Sequence, residues 1–146
     1  MSQNKLKFLS KENPSDSEVN EIRYGLRSYN DAFVSRKESV KVLVSCRNSE
    51  DQLIGGAYGI IQWDWLHVDL LWVHEDYRHK GLGSKLMAEI TDKARERKIF
   101  RFKLETASFQ ALDFYKKLGF TVFGTLEDLP PGYTNYLLSK VDSEHV

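Results

Sequence analysis

The sequence is poor in the features that mark several protein classes. Only one of its 146 residues is cysteine, Cys46, so no disulfide can form within the chain and a reducing compartment, the cytoplasm, is expected. An excess of either charge is missing too: Lys plus Arg and Asp plus Glu number 21 each. No net field therefore recruits nucleic acid or an anionic membrane, and neither is expected as a partner. No run reaches the roughly 18 consecutive apolar residues that a spanning helix needs. The opening MSQNKLKFLS has no apolar stretch of the kind a secretory leader carries. Linkers, internal repeats and low-complexity segments are absent as well. A chain of this size should bury roughly 68–70% of its unfolded surface, which supports one domain over residues 1–146.

What the sequence does contain is an alternation of strand and helix patterns. Residues 5–9 read as a short strand that Asn13-Pro14 interrupts, and Ser15-x-x-Glu18 has the form of a capping box. Val19, Ile22, Leu26, Tyr29 and Phe33 then recur at steps of three and four, one apolar stripe along one helix or two, with Gly25 and Asn30 as places for a break. Val40, Val42, Val44 and Cys46 alternate with Lys41, Ser45 and Arg47 as a strand. Asn48–Asp51 turns into a second strand near 53–62, and Gln62-Trp-Asp-Trp65 turns into a third at 65–73, giving an antiparallel meander. A helix follows with Leu82, Leu86, Ile90 and Ala94 on one face. Then come a strand at 100–104, a helix at 109–118 stopped by Gly119, and strands near 120–126 and 133–141.

The most informative stretch is 65–83, where the third strand runs into Arg78-x-x-Gly81-x-Gly83 and then into a helix. The first N–H groups of a helix have no intrahelical partner and lie at the positive end of its dipole, so such a turn can hold phosphate. Arg78, His79, Lys80 and Lys85 can add countercharge. Two phosphate-binding turns fail on spacing. A P-loop needs Gly-x-x-x-x-Gly-Lys-Ser/Thr, and a dinucleotide fingerprint needs a glycine where Leu86 stands. The turn resembles the acetyl-CoA motif of the GNAT family of N-acetyltransferases, Arg/Gln-x-x-Gly-x-Gly/Ala after a strand ending in Leu71-Trp72-Val73. Downstream, Ser108-x-x-Ala111-x-x-Phe114-Tyr115-x-x-x-Gly119-Phe120 resembles that family's second signature, with Ser108 where asparagine is usual.

The resemblance implies a mixed α/β fold: a mostly antiparallel, splayed sheet of about seven strands flanked by about four helices. It implies acetyl-CoA as cosubstrate, without a metal. Backbone groups of Leu71, Trp72 and Val73 would meet the pantetheine arm in the opening of the sheet, although Leu71 and Val73 serve equally well as core side chains. Arg78, His79, Lys80, Gly81, Leu82, Gly83 and Ser84 would hold the pyrophosphate, with Ser108 and Phe114 as further cofactor contacts. Tyr115 would be the general acid, its other role being an aromatic core residue beside Leu112 and Leu118.

Direct acetyl transfer needs an amine stripped of its proton, hence a base. His67 and Asp69 alternate with Leu66, Val68 and Leu70, which puts both on one strand face together with Leu71 and makes them candidates for that role. Their alternative is a contact of purely structural purpose. Tyr29, Asp31, Trp63 and Trp65 lie where relatives surround the acceptor. Cys46 reads as a small strand residue, and His74, His79 and His145 show no metal-ligand spacing with it. The expected activity is acetyl transfer from acetyl-CoA to an amine, of a small molecule in preference to a protein. The alternatives are a protein-amine acetyltransferase and a non-catalytic acyl-CoA-binding regulatory module. A homodimer is compatible with the sequence.

Overall fold

In the computed structural model, residues 5–35 and 37–143 are described, and His145 lies outside them. The chain divides into two compact units, Met1–Arg36 and Lys37–Val146.

The first unit is built on α1, Asp16–Asn30. Its start is the capping box legible in the sequence: the Glu18 amide donates to Ser15 Oγ at 3.2 Å, and the Ser15 amide donates to Glu18 Oε1 at 2.9 Å. The bond from the Ser15 amide, with Lys11 Nζ at 2.9 Å and Ser15 Oγ at 3.0 Å from the same carboxylate oxygen, holds the Glu18 carboxyl below its ordinary range. The stripe does not continue as a second helix. The Asn30 carbonyl accepts from the amides of both Phe33 and Val34, at 2.9 and 3.1 Å, which closes the chain into a turn. Residues 5–9 form no strand either, and Leu6, Phe8 and Leu9 are exposed. Their alternation is strand-like, but a strand exists only where a neighbour completes its hydrogen bonds.

The second unit holds a six-stranded sheet. Its strands are β1 (Val40–Arg47), β2 (Leu53–Gln62), β3 (Trp65–Val73), β4 (Arg101–Ala107), β5 (Thr121–Glu127) and β6 (Thr134–Val141), arranged in the order β1-β2-β3-β4-β6-β5. The first three are the expected antiparallel meander, while β3 and β4 run parallel. The helices are α2 (Leu82–Glu96) and α3 (Leu112–Lys117), with a short 3₁₀ turn at Glu75–Tyr77. The described residues thus hold six strands and three α-helices where the sequence suggests about seven and four; the segments at 5–9 and 31–35 account for the difference.

One face of the sheet carries the core. Leu86, Met87, Ile90 and Ala94 of α2 pack with Ala57, Ile61, Leu66, Val68, Phe102, Leu104 and Leu138 of the strands and with Tyr115 and Phe120. Both α2 and β3 approach β2 closely at Gly59, where a Cβ would sit 2.8 Å from the His67 carbonyl oxygen of β3 and 3.3 Å from Ile90 Cδ1 of α2.

Two irregularities shape β3. Tyr58 pairs with Leu70 and Gly59 with Val68, so Asp69 is an extra residue without a partner on β2, a β-bulge. Toward β4 the parallel pairing covers only Trp65–Val68 against Arg101–Leu104. Beyond that point the strands part: Glu105–Ala107 remain paired with β6, and Asp69–Val73 have no neighbour on the β4 side.

Candidate active site

The parting of β3 and β4 opens into a cavity of about 1090 Å³. Asp69–Val73 form one wall and Glu105, Thr106 and Ser108–Ala111 the other; Gly81–Ser84 of the glycine turn and Leu112–Tyr115 of α3 lie at its helix side.

Gly81 caps α2 with φ +83, the left-handed conformation that glycine adopts without strain. It has no side chain to bond the first-turn amides, and the first intrahelical bond is Lys85 N–H to Gly81 O at 3.1 Å. The N–H groups of Leu82, Gly83 and Ser84 thus remain available for an anion. Gly83 is needed for a different reason: a Cβ there would stand 3.3 Å from Phe114 Cζ, so its bare backbone lets α3 close against the turn. His79 is also left-handed, at φ +62. Arg78 reaches back to donate from Nε to the Val73 carbonyl at 2.9 Å, tying the turn to the strand before it. Lys80 does not line the cavity; its ammonium sits 5.8 Å from the Tyr77 ring centre.

The opposite wall is held by Ser108, expected as a cofactor contact, and by Thr106 and Gln110, which no motif marks. Ala111 gives α3 no side-chain cap; instead Thr106 Oγ1 accepts from the Ala111 amide at 3.4 Å and Gln110 Oε1 from the Ala107 amide at 2.7 Å. Ser108 fastens the same loop to β6, donating its amide to Thr134 O at 2.8 Å and accepting the Thr134 amide on Oγ at 3.2 Å. Phe109 stands edge-on to Tyr133 with ring centres 4.7 Å apart. Local periodicity does not announce these partners, because each bond joins the 105–111 segment to itself across a turn or to β6.

Tyr115 is 7% exposed and packs edge-on against Phe114 and Phe120, with ring centres 5.1 and 6.0 Å away. Burial pushes its phenol up to about 12, so at neutral pH the group is a proton donor. Tyr115 is thus a core aromatic that also lines the cavity.

On β3 the bulge alters the facing derived from strict alternation. His67 Nε2 lies 3.8 Å from Asp69 Oδ1, so these two do share a face. Leu71 does not join them. The extra residue returns Leu71 and Val73 to the core side with Leu66 and Val68, and leaves Leu70 and Trp72 exposed. Asp69 lines the cavity; His67 stands behind it, its Nδ1 buried without a hydrogen-bond partner. Trp63 and Trp65 lie at the hairpin end of β3, where Gln62 pairs with Trp65, and do not line the cavity. Tyr29 and Asp31 belong to the first unit, Tyr29 exposed in the last turn of α1 and Asp31 at its C-cap.

A long, phosphorylated thioester fits what is present: a sheet edge with unpaired backbone, a glycine-opened helix start and a cavity at the upper end of ligand-site volumes, about 1000 Å³. Among the described residues, no group of three or more His, Cys, Asp and Glu could hold a metal, and no helix is long and apolar enough to cross a membrane.

Comparison with known proteins agrees with this architecture. The acetyltransferase (GNAT) family profile matches residues 6–120. A blasticidin-S acetyltransferase of Streptomyces morookaense is 46% identical over 90 residues, 61% of this chain and 66% of that enzyme. An acetyltransferase of Agrobacterium fabrum is 33% identical over 82% of this chain and 87% of its own length. Among solved structures, an acetyltransferase of Bacillus cereus superposes with TM-score 0.83 at 33% identity, covering 92% of this chain and 98% of the other. The fold and the open sheet edge are thus those of an acyltransferase. The chain belongs to the acetyltransferase (GNAT) family.

Proposed function

We propose that the protein transfers acetyl from acetyl-CoA directly to an amine of a small molecule, within one catalytic domain and without a metal. The observation that carries this reading is the parting of β3 and β4 beside a protonated, buried phenol. Backbone groups of Asp69–Val73 would receive the pantetheine arm, and the amides of Leu82–Ser84, with Arg78 and His79 nearby, would receive the pyrophosphate. Acetyl-CoA supplies the acyl group already activated as a thioester. The chain's residues manage protons. Asp69, with His67 behind it, accepts the proton that the acceptor's ammonium must lose before its nitrogen can attack. Tyr115 gives its phenolic proton to the departing sulfur and recovers one from solvent after release. No covalent enzyme intermediate is required.

A small-molecule acceptor is favoured by the relatives named for such substrates. They include the blasticidin-S enzyme and a nourseothricin acetyltransferase of known structure, 25% identical over 69% of this chain with TM-score 0.62. The test is a screen of amines, blasticidin S included, with acetyl-CoA and detection of free thiol. Amine-dependent thiol release with a matching acetylated product is expected. Thiol release no faster than hydrolysis for every amine overturns the reading.

A further inference from the structure

The last paired residues of β3 and β4 are Val68 and Leu104, so Asp69 and Glu105 are the first residues past the parting, one on each lip. Both point away from the core. On β4, Phe102, Leu104 and Thr106 are buried, while Lys103 and Glu105 are exposed on the opposite face. On β3, Asp69 stands beside His67, which is in register with Lys103. Tyr115 belongs to the core side, so the opening passes through the sheet, with the phenol on one side and two carboxylates on the other.

The two carboxylates are held differently. Asp69 has the imidazole beside it, whereas Glu105 accepts from Asn135 Nδ2 at 3.3 Å. Asn135 is 7% exposed and fixed in β6 between β4 and β5, paired with Ala107 and Leu126. A neutral amide orients a carboxylate without cancelling its charge. Among the described residues no cation pairs with Glu105, although Lys103 shares its face. The same wall carries Phe109, an aromatic ring stacked edge-on with Tyr133. An oriented, uncompensated carboxylate and an aromatic ring on one cavity wall match an alkylammonium: charge at one end, hydrocarbon next to it.

We infer that Glu105 binds the ammonium group of the acceptor and that Asn135 is its positioning residue, with Asp69 on the facing lip left to take the proton. This rests on the amine-acetylation reading and deepens it, assigning recognition to β4 and deprotonation to β3.

The test titrates the full chain with n-hexylammonium and, as its neutral counterpart, n-hexanol, following backbone amide shifts of Glu105, Thr106 and Asn135 by NMR; CoA affinity is measured in the same samples. Wild type should respond to hexylammonium and much less to hexanol. Glu105→Gln should weaken hexylammonium binding about 10–100-fold and leave CoA affinity unchanged. Asn135→Ala should weaken it in wild type but add nothing in the Glu105→Gln background, because a residue acting through Glu105 has no effect once the charge is gone. Equal hexylammonium binding by wild type and Glu105→Gln overturns the assignment, as does a full additional loss from Asn135→Ala in the double variant. Failure of wild type to bind CoA registers separately, against the acetyl-CoA reading, while the hexylammonium arm still decides the role of Glu105.

Discussion

Replacing Tyr115 by Phe removes one oxygen and its proton while keeping the ring that packs against Phe114 and Phe120. Its consequences can be worked out from burial. The phenol lies near 10.0 in an unfolded chain and is pushed to about 12 by desolvation in the fold. At about 1.4 kcal/mol per pH unit, the fold disfavours the phenolate by about 3 kcal/mol. As pH rises past 10 the unfolded chain gives up a proton that the folded chain retains, so stability falls with pH through this group. The contribution is fully present below 10 and gone above 12. Between pH 9 and 11 wild type should lose about 1 kcal/mol that the Phe variant keeps, readable as the difference between urea titrations of the two proteins. The same substitution should slow single-turnover acetyl transfer about 10²–10⁴-fold with CoA affinity unchanged, and any alkaline limb due to Tyr115 should sit near pH 12. Parallel loss of stability in both proteins would show that the fold does not hold this phenol neutral. A wild-type single-turnover rate in the variant would leave Tyr115 as packing alone.

CoA at a hundredfold excess over its dissociation constant should stabilise the chain by about 2.7 kcal/mol in thermal melts. Gly83→Val, which drives a side chain into the Phe114 ring, should abolish that shift in a protein that still folds. Gly59→Ala places a methyl 2.8 Å from the His67 carbonyl oxygen and should cost about 1–3 kcal/mol by denaturant titration; an unchanged midpoint would mean that α2 and β3 yield freely there. Ser15→Ala removes the side-chain half of the capping box and should cost α1 about 1 kcal/mol, measured as helicity by circular dichroism in a peptide spanning 11–33; equal helicity in both peptides would count against the cap.

The parts legible in the sequence are those whose determinants lie close together along the chain. Ser15 and Glu18 are three residues apart and bond each other, so α1 begins where the pattern says it does. Gly81 and Gly83 mark the turn because positive φ and close approach are demands on the glycines themselves. What was not legible depends on a neighbour brought from elsewhere. Leu6 and Phe8 alternate like a strand, yet pairing is what makes one. Alternation along β3 alone puts Leu71 on the face of His67, while the bulge that moves it is a relation between β3 and the Tyr58–Gly59 step of β2. Glu105 lies one residue past the strand at 100–104 that the local pattern marks, while β4 runs on to Ala107. The alternation of Arg101, Lys103 and Glu105 with Phe102, Leu104 and Thr106 was the signal that could have extended it.

The extra residue at Asp69 also constrains how β3 can change. Exchanging its side chain is a local event, and exposed Leu70 and Trp72 can vary with little effect on packing. Losing Asp69 is another matter: strict alternation would return with Leu70 outward and Leu71 and Val73 still toward the core, but the bulge would be gone, and with it the carboxylate on the lip and the offset of the cavity-facing segment against the Tyr58–Gly59 step of β2. This strand should therefore drift readily in composition but not in length, and a library that varies loop lengths around the cavity should leave the count from Val68 to Val73 fixed.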